Sequence, residues 1–275
     1  MTTLLIAAAT TLSGKTTIAV AIARALGNAA LKRIGDDANA EPDRKLFASL
    51  ALQGNTPVIE LPAGDPASAI ADNAGARVIV VATPQSAEAS SEMAKGAGSS
   101  LAGVILNRAS ARGEANQYTG ATPIAVVLGD RVLGAPTLAD VATALNAETE
   151  NLEGNSSRLL DKPIIASIAA DPGQAYFDRT RADSVIVRSD TPDLQLAALN
   201  SGAECLIITG GLPLLSYVRD RVAADEIPLL RTALDTKGTV SAIEALYGAK
   251  PFGGEAARLN RLDELFASAD LSRLT

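Results

Sequence analysis

Short, unbroken runs of β-branched and leucine residues recur along this chain, separated by Ala-rich stretches with helical spacing. Leu4-Leu5-Ile6, Val78-Ile79-Val80-Val81, Val104-Ile105-Leu106, Val185-Ile186-Val187 and Leu206-Ile207-Ile208 contain no polar residue. A sheet with one wet face would alternate apolar with polar. Unbroken runs imply strands buried on both faces, as in a parallel sheet covered by crossover helices. The fold class expected is therefore α/β: a doubly wound, mostly parallel sheet followed by a smaller Rossmann-like α/β domain. Aromatic residues make up 3% of the chain and Trp is absent, so Ala, Val, Ile and Leu must fill both cores.

Punctuation between the runs divides the chain. Strands are expected over 4–8, 29–32, 57–60, 78–82, 103–106 and 124–128, with helices over 16–26, 87–95 and 138–145. These make a first domain over 1–150. The polar segment 146–157 reads as a linker. Strands over 163–168, 184–188, 206–209 and 229–231 then alternate with helices near 193–200, 214–224 and 240–247, giving a second domain over 158–250. The tail 251–275 reads as an amphipathic helix, with Leu259, Leu262 and Phe266 on its apolar side, packed on its own chain.

Charge and composition remove several classes of function. The net charge of −7 gives no basic surface for nucleic acid. Histidine is absent, which excludes Ser-His-Asp and Cys-His catalysis and His-ligated zinc. The single cysteine, Cys205, allows no internal disulfide and reads as a small buried strand residue. The N-terminus lacks the basic region of a signal peptide, and no apolar run is long enough to span a bilayer. A cytoplasmic protein without membrane or nucleic-acid partners is expected.

One motif carries chemistry. The first strand leads through Thr11-Leu12-Ser13-Gly14-Lys15-Thr16-Thr17 into a helix, the context of a phosphate-binding P-loop. Backbone N–H groups at a helix N-terminus cradle phosphate, and Gly14 lets the backbone approach without a Cβ. Lys15 is expected on the β- and γ-phosphates and the Thr16 hydroxyl on Mg²⁺. Ala9 stands where the pattern usually opens with Gly. Magnesium also needs a carboxylate. Glu60, closing a parallel strand, is the foremost candidate, ahead of Asp43 and Asp37. In the second half, Thr209-Gly210-Gly211 follows a strand as an anion-binding nest or a tight turn would. Asp190 and Asp235 read as site residues or helix N-caps, and Asp193 suits a first helical turn.

These residues carry a family resemblance. The first half resembles the dethiobiotin synthetase and cobyrinic acid a,c-diamide synthase branch of P-loop proteins, and more closely the N-terminal region of long bacterial phosphotransacetylases. Beyond the P-loop, Lys32-Arg33-Ile34-Gly35 matches a Lys-Pro-Ile-Gly-like element, with Arg33 in place of Pro. Pro42-Asp43, the strand ending at Glu60, Gly103-Val104-Ile105-Leu106-Asn107 and the stretch from Asp130 to Thr137 follow the same pattern. The resemblance implies ATP with Mg²⁺ as cofactors, Asn107 as the residue that recognises adenine, and Lys32 as a second catalytic lysine. The second half resembles the DRTGG domain through Ser189-Asp190-Thr191-Pro192-Asp193, Thr209-Gly210-Gly211 and Asp235-Thr236. Thr191 stands where that domain's name has Arg. No acyl-transferring domain is recognisable, so acetyltransferase activity is not expected.

Three functions follow as expectations. The first is an ATP-binding regulatory or sensory protein linked to acyl-phosphate and central carbon metabolism, self-associating as a dimer and acting on a metabolic protein partner. The second is an ATP hydrolase or ATP-dependent ligase using Lys15 and Lys32 on the transferred phosphoryl group. The third is a degenerate assembly module that binds no nucleotide. The intact Gly14-Lys15-Thr16 favours the first two.

Overall fold

The computed structural model describes residues 2–110, 123–166, 177, 179, 183–267, 269 and 271. It divides into two units, 1–133 with 251–275, and 134–250.

The first unit is built on a six-stranded, wholly parallel sheet. Its strands are β1 (Leu4–Ala7), β2 (Ala29–Arg33), β3 (Thr56–Glu60), β4 (Arg77–Ala82), β5 (Leu101–Ala109) and β6 (Ala125–Leu128), in the spatial order β2-β3-β1-β4-β5-β6. From β1 the chain crosses to the edge strand β2, returns to β3 beside β1, and then passes to β4, β5 and β6 on the other side of β1. The neighbours β1 and β4 therefore flank a topological switch point, where open α/β sheets bind ligands beyond the carboxyl ends of their strands.

Alternate residues of the central strands feed two separate cores, which is why the runs are apolar throughout. Leu4 and Ile6 of β1 join Ile18 and Ile22 of α1 (Lys15–Leu26), Leu46 and Phe47 of α2 (Ala40–Leu50), and Leu262 and Phe266 of the C-terminal helix. Leu5 and Ala7 face the other way. They pack with Ala69 of α3 (Ala67–Asp72) and with Ala94 and Ala97 of α4 (Ala87–Ala97). Small residues on α3 and α4 let those helices lie close to the sheet, and the scarcity of aromatic residues is thereby met.

The second unit holds a mixed five-stranded sheet in the order β7-β11-β10-β9-β8. Strands β8 (Ile164–Ile165), β9 (Ser184–Arg188), β10 (Cys205–Thr209) and β11 (Leu229–Arg231) are parallel, and β7 (Glu148–Glu150) closes one edge antiparallel to β11. Val185, Val187, Leu206 and Ile208 pack against α7 (Pro192–Asn200) and α8 (Ser216–Ala224). Ile186, Cys205, Ile207 and Leu230 meet α6 (Leu138–Ala144) and Ile243 of α9 (Thr236–Glu244). A short α5 spans Arg131–Gly134. Cys205 is fully buried and its thiol is pushed up to about 12 by that burial, in keeping with an inert strand residue.

The division of the chain differs from the expected boundaries near 150 and 251. Leu138, Val141 and Leu145 of α6 bury their apolar face in the second core, so the helix belongs there. The expected linker over 146–157 contains β7, whose backbone is satisfied by Leu229, Leu230 and Arg231. Edge strands can be polar on both faces, and Glu148 and Glu150 carry no apolar signature. The C-terminal helix α10 (Ala256–Phe266) packs on α1 and belongs to the first unit. Leu262 is fully buried there, and Arg24 Nε lies 2.8 Å from Asp263. Of the strand expected over 163–168, Ile164 and Ile165 form β8, Pro163 and Ala166 fall outside it, and 167–168 lie outside the described residues.

Candidate functional site

The loop between β1 and α1 is held by its own side chains. Ser13 Oγ donates to the Thr10 carbonyl at 2.7 Å and lies 3.0 Å from Thr10 Oγ1. Gly14 caps α1 in the left-handed region at φ 82°, and the first intrahelical bond runs from Ile18 N–H to the Gly14 carbonyl. The N–H groups of Lys15, Thr16 and Thr17 therefore lie ahead of the helical ladder, as an anion-binding helix N-terminus requires. Asn107, near the carboxyl end of β5, supports the loop. It is 5% exposed and its Nδ2 donates to the Ser13 carbonyl at 2.9 Å. A Cβ at Gly14 would come to 2.3 Å of the same nitrogen, so the glycine is required by both φ and space. The resemblance gives Asn107 to the adenine base; in this structure it braces the loop. Thr11 and Leu12 lie exposed at the loop tip, with Leu12 at φ 57°.

Three oxygen-bearing residues converge behind the loop. Thr16 Oγ1, in the first turn of α1, lies 3.2 Å from both Asp43 Oδ1 and Glu60 Oε1. Glu60 ends β3 and Asp43 sits in the first turn of α2, so both come from the carboxyl edge of the sheet. Their side chains are nearly fully buried, and Glu60 Oε2 has no hydrogen-bond partner. Burial, and then the neighbouring Asp43 charge, raises the Glu60 carboxyl to about 7. Asp43 is also raised, mainly by burial. Lys15 is 8% exposed, and burial lowers its pKa against the opposing pull of Glu60.

Arg33 is the residue that sequence reasoning did not place in the site. It is the last residue of β2 and the direct register partner of Glu60. Its side chain is 1% exposed, with Nε 3.5 Å from Asp43 Oδ2 and 3.7 Å from Glu60 Oε1. Its Nη2 pairs with Asp37 and its Nη1 donates to the Ile34 carbonyl. Asp37 is held below its usual carboxylate range against its partial burial, by the Asn39 backbone N–H and by Arg33. Lys32, by contrast, is exposed. Successive strand residues point to opposite faces, so only one of Lys32 and Arg33 can enter the site, and it is Arg33. The usable signal was register: two parallel neighbours ending on Arg33 and Glu60.

The second-unit candidates do not form a comparable cluster. Gly210 and Gly211 have φ 92° and 71°, as a nest would require, but their N–H groups donate to the carbonyls of Leu234 and Thr232. The Thr209 hydroxyl lies 3.1 Å from that of Thr236. This is the tight-turn alternative, with the amides already satisfied. Asp235 is the N-cap of α9 and accepts from Gly238 N–H at 2.7 Å. Asp190 is exposed and paired with Arg188, while Thr191 takes the N-cap position of α7. Asp193 lies in that helix's first turn.

The donor set fits the expected cation. A hydroxyl and two carboxylates are the hard oxygen ligands that suit Mg²⁺, and Glu60 Oε2 is a buried acceptor with capacity to spare. Among the described residues there is no cluster of three or more His, Cys, Asp or Glu side chains suited to a metal, so these two carboxylates need a further ligand. No helix among the described residues is long and apolar enough to cross a membrane.

The family-model match falls on the second half of the chain. Among solved structures, the chain is similar to the CBS and DRTGG domains of the regulatory region of Clostridium perfringens pyrophosphatase, complexed with its activator diadenosine tetraphosphate. The identity is 18% and the TM-score 0.36, over 43% of this chain and 51% of that one. The chain thus spans about half the length of the structure it matches. An ABC transporter substrate-binding protein from Desulfitobacterium hafniense, in complex with Leu, aligns over 99% of this chain and 86% of its own, at 14% identity and TM-score 0.25. The DRTGG domain family model matches residues 140–246, so the chain carries a DRTGG domain, and nearly all of the second unit lies within it.

Proposed function

We propose that the chain is a regulatory protein whose first unit binds ATP at the segment Thr11 to Thr17 and whose DRTGG domain receives or transmits the resulting signal. The observation that supports this most is the meeting of Thr16 with Asp43 and Glu60 behind Gly14 and Lys15. A strand–turn–helix with an incidental Gly-Lys-Thr has no need to bury two carboxylates against the threonine hydroxyl. In this reading, Lys15 neutralises the β- and γ-phosphates, the first-turn N–H groups donate hydrogen bonds to their oxygens, and Thr16, Asp43 and Glu60 hold the Mg²⁺ that accompanies the nucleotide. The cation would screen phosphate charge and orient the triphosphate. A dimer, and a metabolic protein linked to acyl-phosphate chemistry as the recipient of the signal, complete the proposal.

Calorimetric titration of Mg-ATP into the wild type and Lys15→Ala tests it. Binding that weakens at least about tenfold in the variant, with little phosphate release, is expected. Fast release, or release that depends on a small carboxylic acid or amine, would replace regulation by hydrolysis or ligation. Absence of binding by the wild type at millimolar ATP would leave an assembly module.

A further inference from the structure

Arg33 is the one buried charge of this site that nucleotide binding does not call for. A hydroxyl and two carboxylates at a phosphate loop ordinarily serve a divalent cation. Here both carboxylates already face a cation belonging to the chain, with Arg33 Nε within 3.5 Å of Asp43 and 3.7 Å of Glu60. The guanidinium cannot relieve the situation by losing its proton. Nor is it loosely held: Asp37 and the Ile34 carbonyl grip its other two nitrogens, and its side chain is 1% exposed. Arg33 Nε and Glu60 Oε2 nevertheless lack hydrogen-bond partners. The ion pair is a contact of charges without the bonded geometry that would make it permanent. A divalent ion placed on Thr16, Asp43 and Glu60 would share their charge with the guanidinium and be repelled by it.

We infer that Arg33 is an internal counter-cation that excludes free divalent ions from the Thr16–Asp43–Glu60 position, so that Mg²⁺ enters only with the phosphates of a nucleotide. Arg33 is thus a specificity-determining residue of the site, offsetting part of the charge of the carboxylate pair. The metal-exclusion part of this inference stands on the residues themselves. The part concerning nucleotide rests on the ATP-binding reading.

The test uses Mn²⁺ alone, followed by electron paramagnetic resonance on the full chain without nucleotide. The wild type is expected to show no saturable binding below millimolar Mn²⁺. Arg33→Gln should bind at least about tenfold more tightly, because one unit of repulsion is removed at short range, and Arg33→Lys should behave as the wild type. Equal Mn²⁺ affinity in wild type and Arg33→Gln would overturn the inference, as would tight Mn²⁺ binding by the wild type. Should Arg33→Gln fail to fold, the wild type still decides it. The Arg33 Nε–H resonance is expected to stay sharp at stoichiometric Mn²⁺, and its selective broadening there would place the ion beside the guanidinium and sink the idea. A Mn²⁺ result is independent of whether ATP binds, so the two readings fail separately.

Discussion

Glu60 is a carboxylate whose burial works against its own charge. Its pKa is raised from 4.5 to about 7, by desolvation first and Asp43 second. The native state therefore holds this proton more tightly than the unfolded chain does. The associated stability is fully present below about pH 4.5 and is lost as pH rises through about 7, a fall of about 3 kcal/mol. Asp43, raised as well, acts in the same direction. Denaturant unfolding of the first unit between pH 5 and 8 should show this decline, and Glu60→Gln should flatten it; an unchanged slope in the variant would remove Glu60 as the cause. Gly14 makes a second residue-scale case. Alanine there would pay the left-handed conformation, roughly 1–2 kcal/mol, and meet Asn107 Nδ2 at 2.3 Å. Gly14→Ala is expected to lower stability by at least that amount and to weaken ATP binding. Adding Asn107→Ala should recover part of the stability loss, since it removes the clashing amide; strict additivity in the double-mutant cycle would argue against the contact.

At the scale of elements, most strands and helices were legible because their apolar periods were unambiguous. The C-terminal helix α10 was legible as amphipathic, and its partner, α1, was not. Leu262 is fully buried against the first core, so Leu262→Ala should cost about 2–5 kcal/mol in the unfolding of that unit. The half-exposed Arg24–Asp263 pair beside it should matter far less, with Asp263→Asn changing stability by no more than about 1 kcal/mol. A comparable effect from both substitutions in urea melts would mean that charge, not packing, docks the helix. The strand β7 was not expected, whereas α6 was expected as a helix but grouped with the first domain. A polar three-residue edge strand has no period to read, and the apolar face of α6 fits either of two adjacent cores in sequence terms.

For the whole molecule, each unit carries cores on both faces of its own sheet. Independent cores unfold as separate cooperative units unless their interface is large, so scanning calorimetry is expected to resolve more than one transition. ATP at about 100 times its dissociation constant would stabilise the binding unit by about 2.7 kcal/mol. On the proposed reading, one transition should shift upward with ATP. A shift in neither transition would contradict nucleotide binding, and an equal shift in both would mean that the units unfold together.

The sequence by itself determined the α/β class, the strand–turn–helix context of Gly14-Lys15-Thr16, the DRTGG character of the second half and the burial of Cys205 in a strand. Each of these depends on local pattern: unbroken apolar runs, residue spacing, or a small apolar side chain in a strand. Only the tertiary structure decided that Asn107 braces the loop, that Arg33 and not Lys32 enters the site, and that the Gly210 and Gly211 amides are already satisfied. Those outcomes depend on register between strands far apart in sequence. A one-residue change of register reverses which side chain faces the crevice, and nothing within a single strand records that choice.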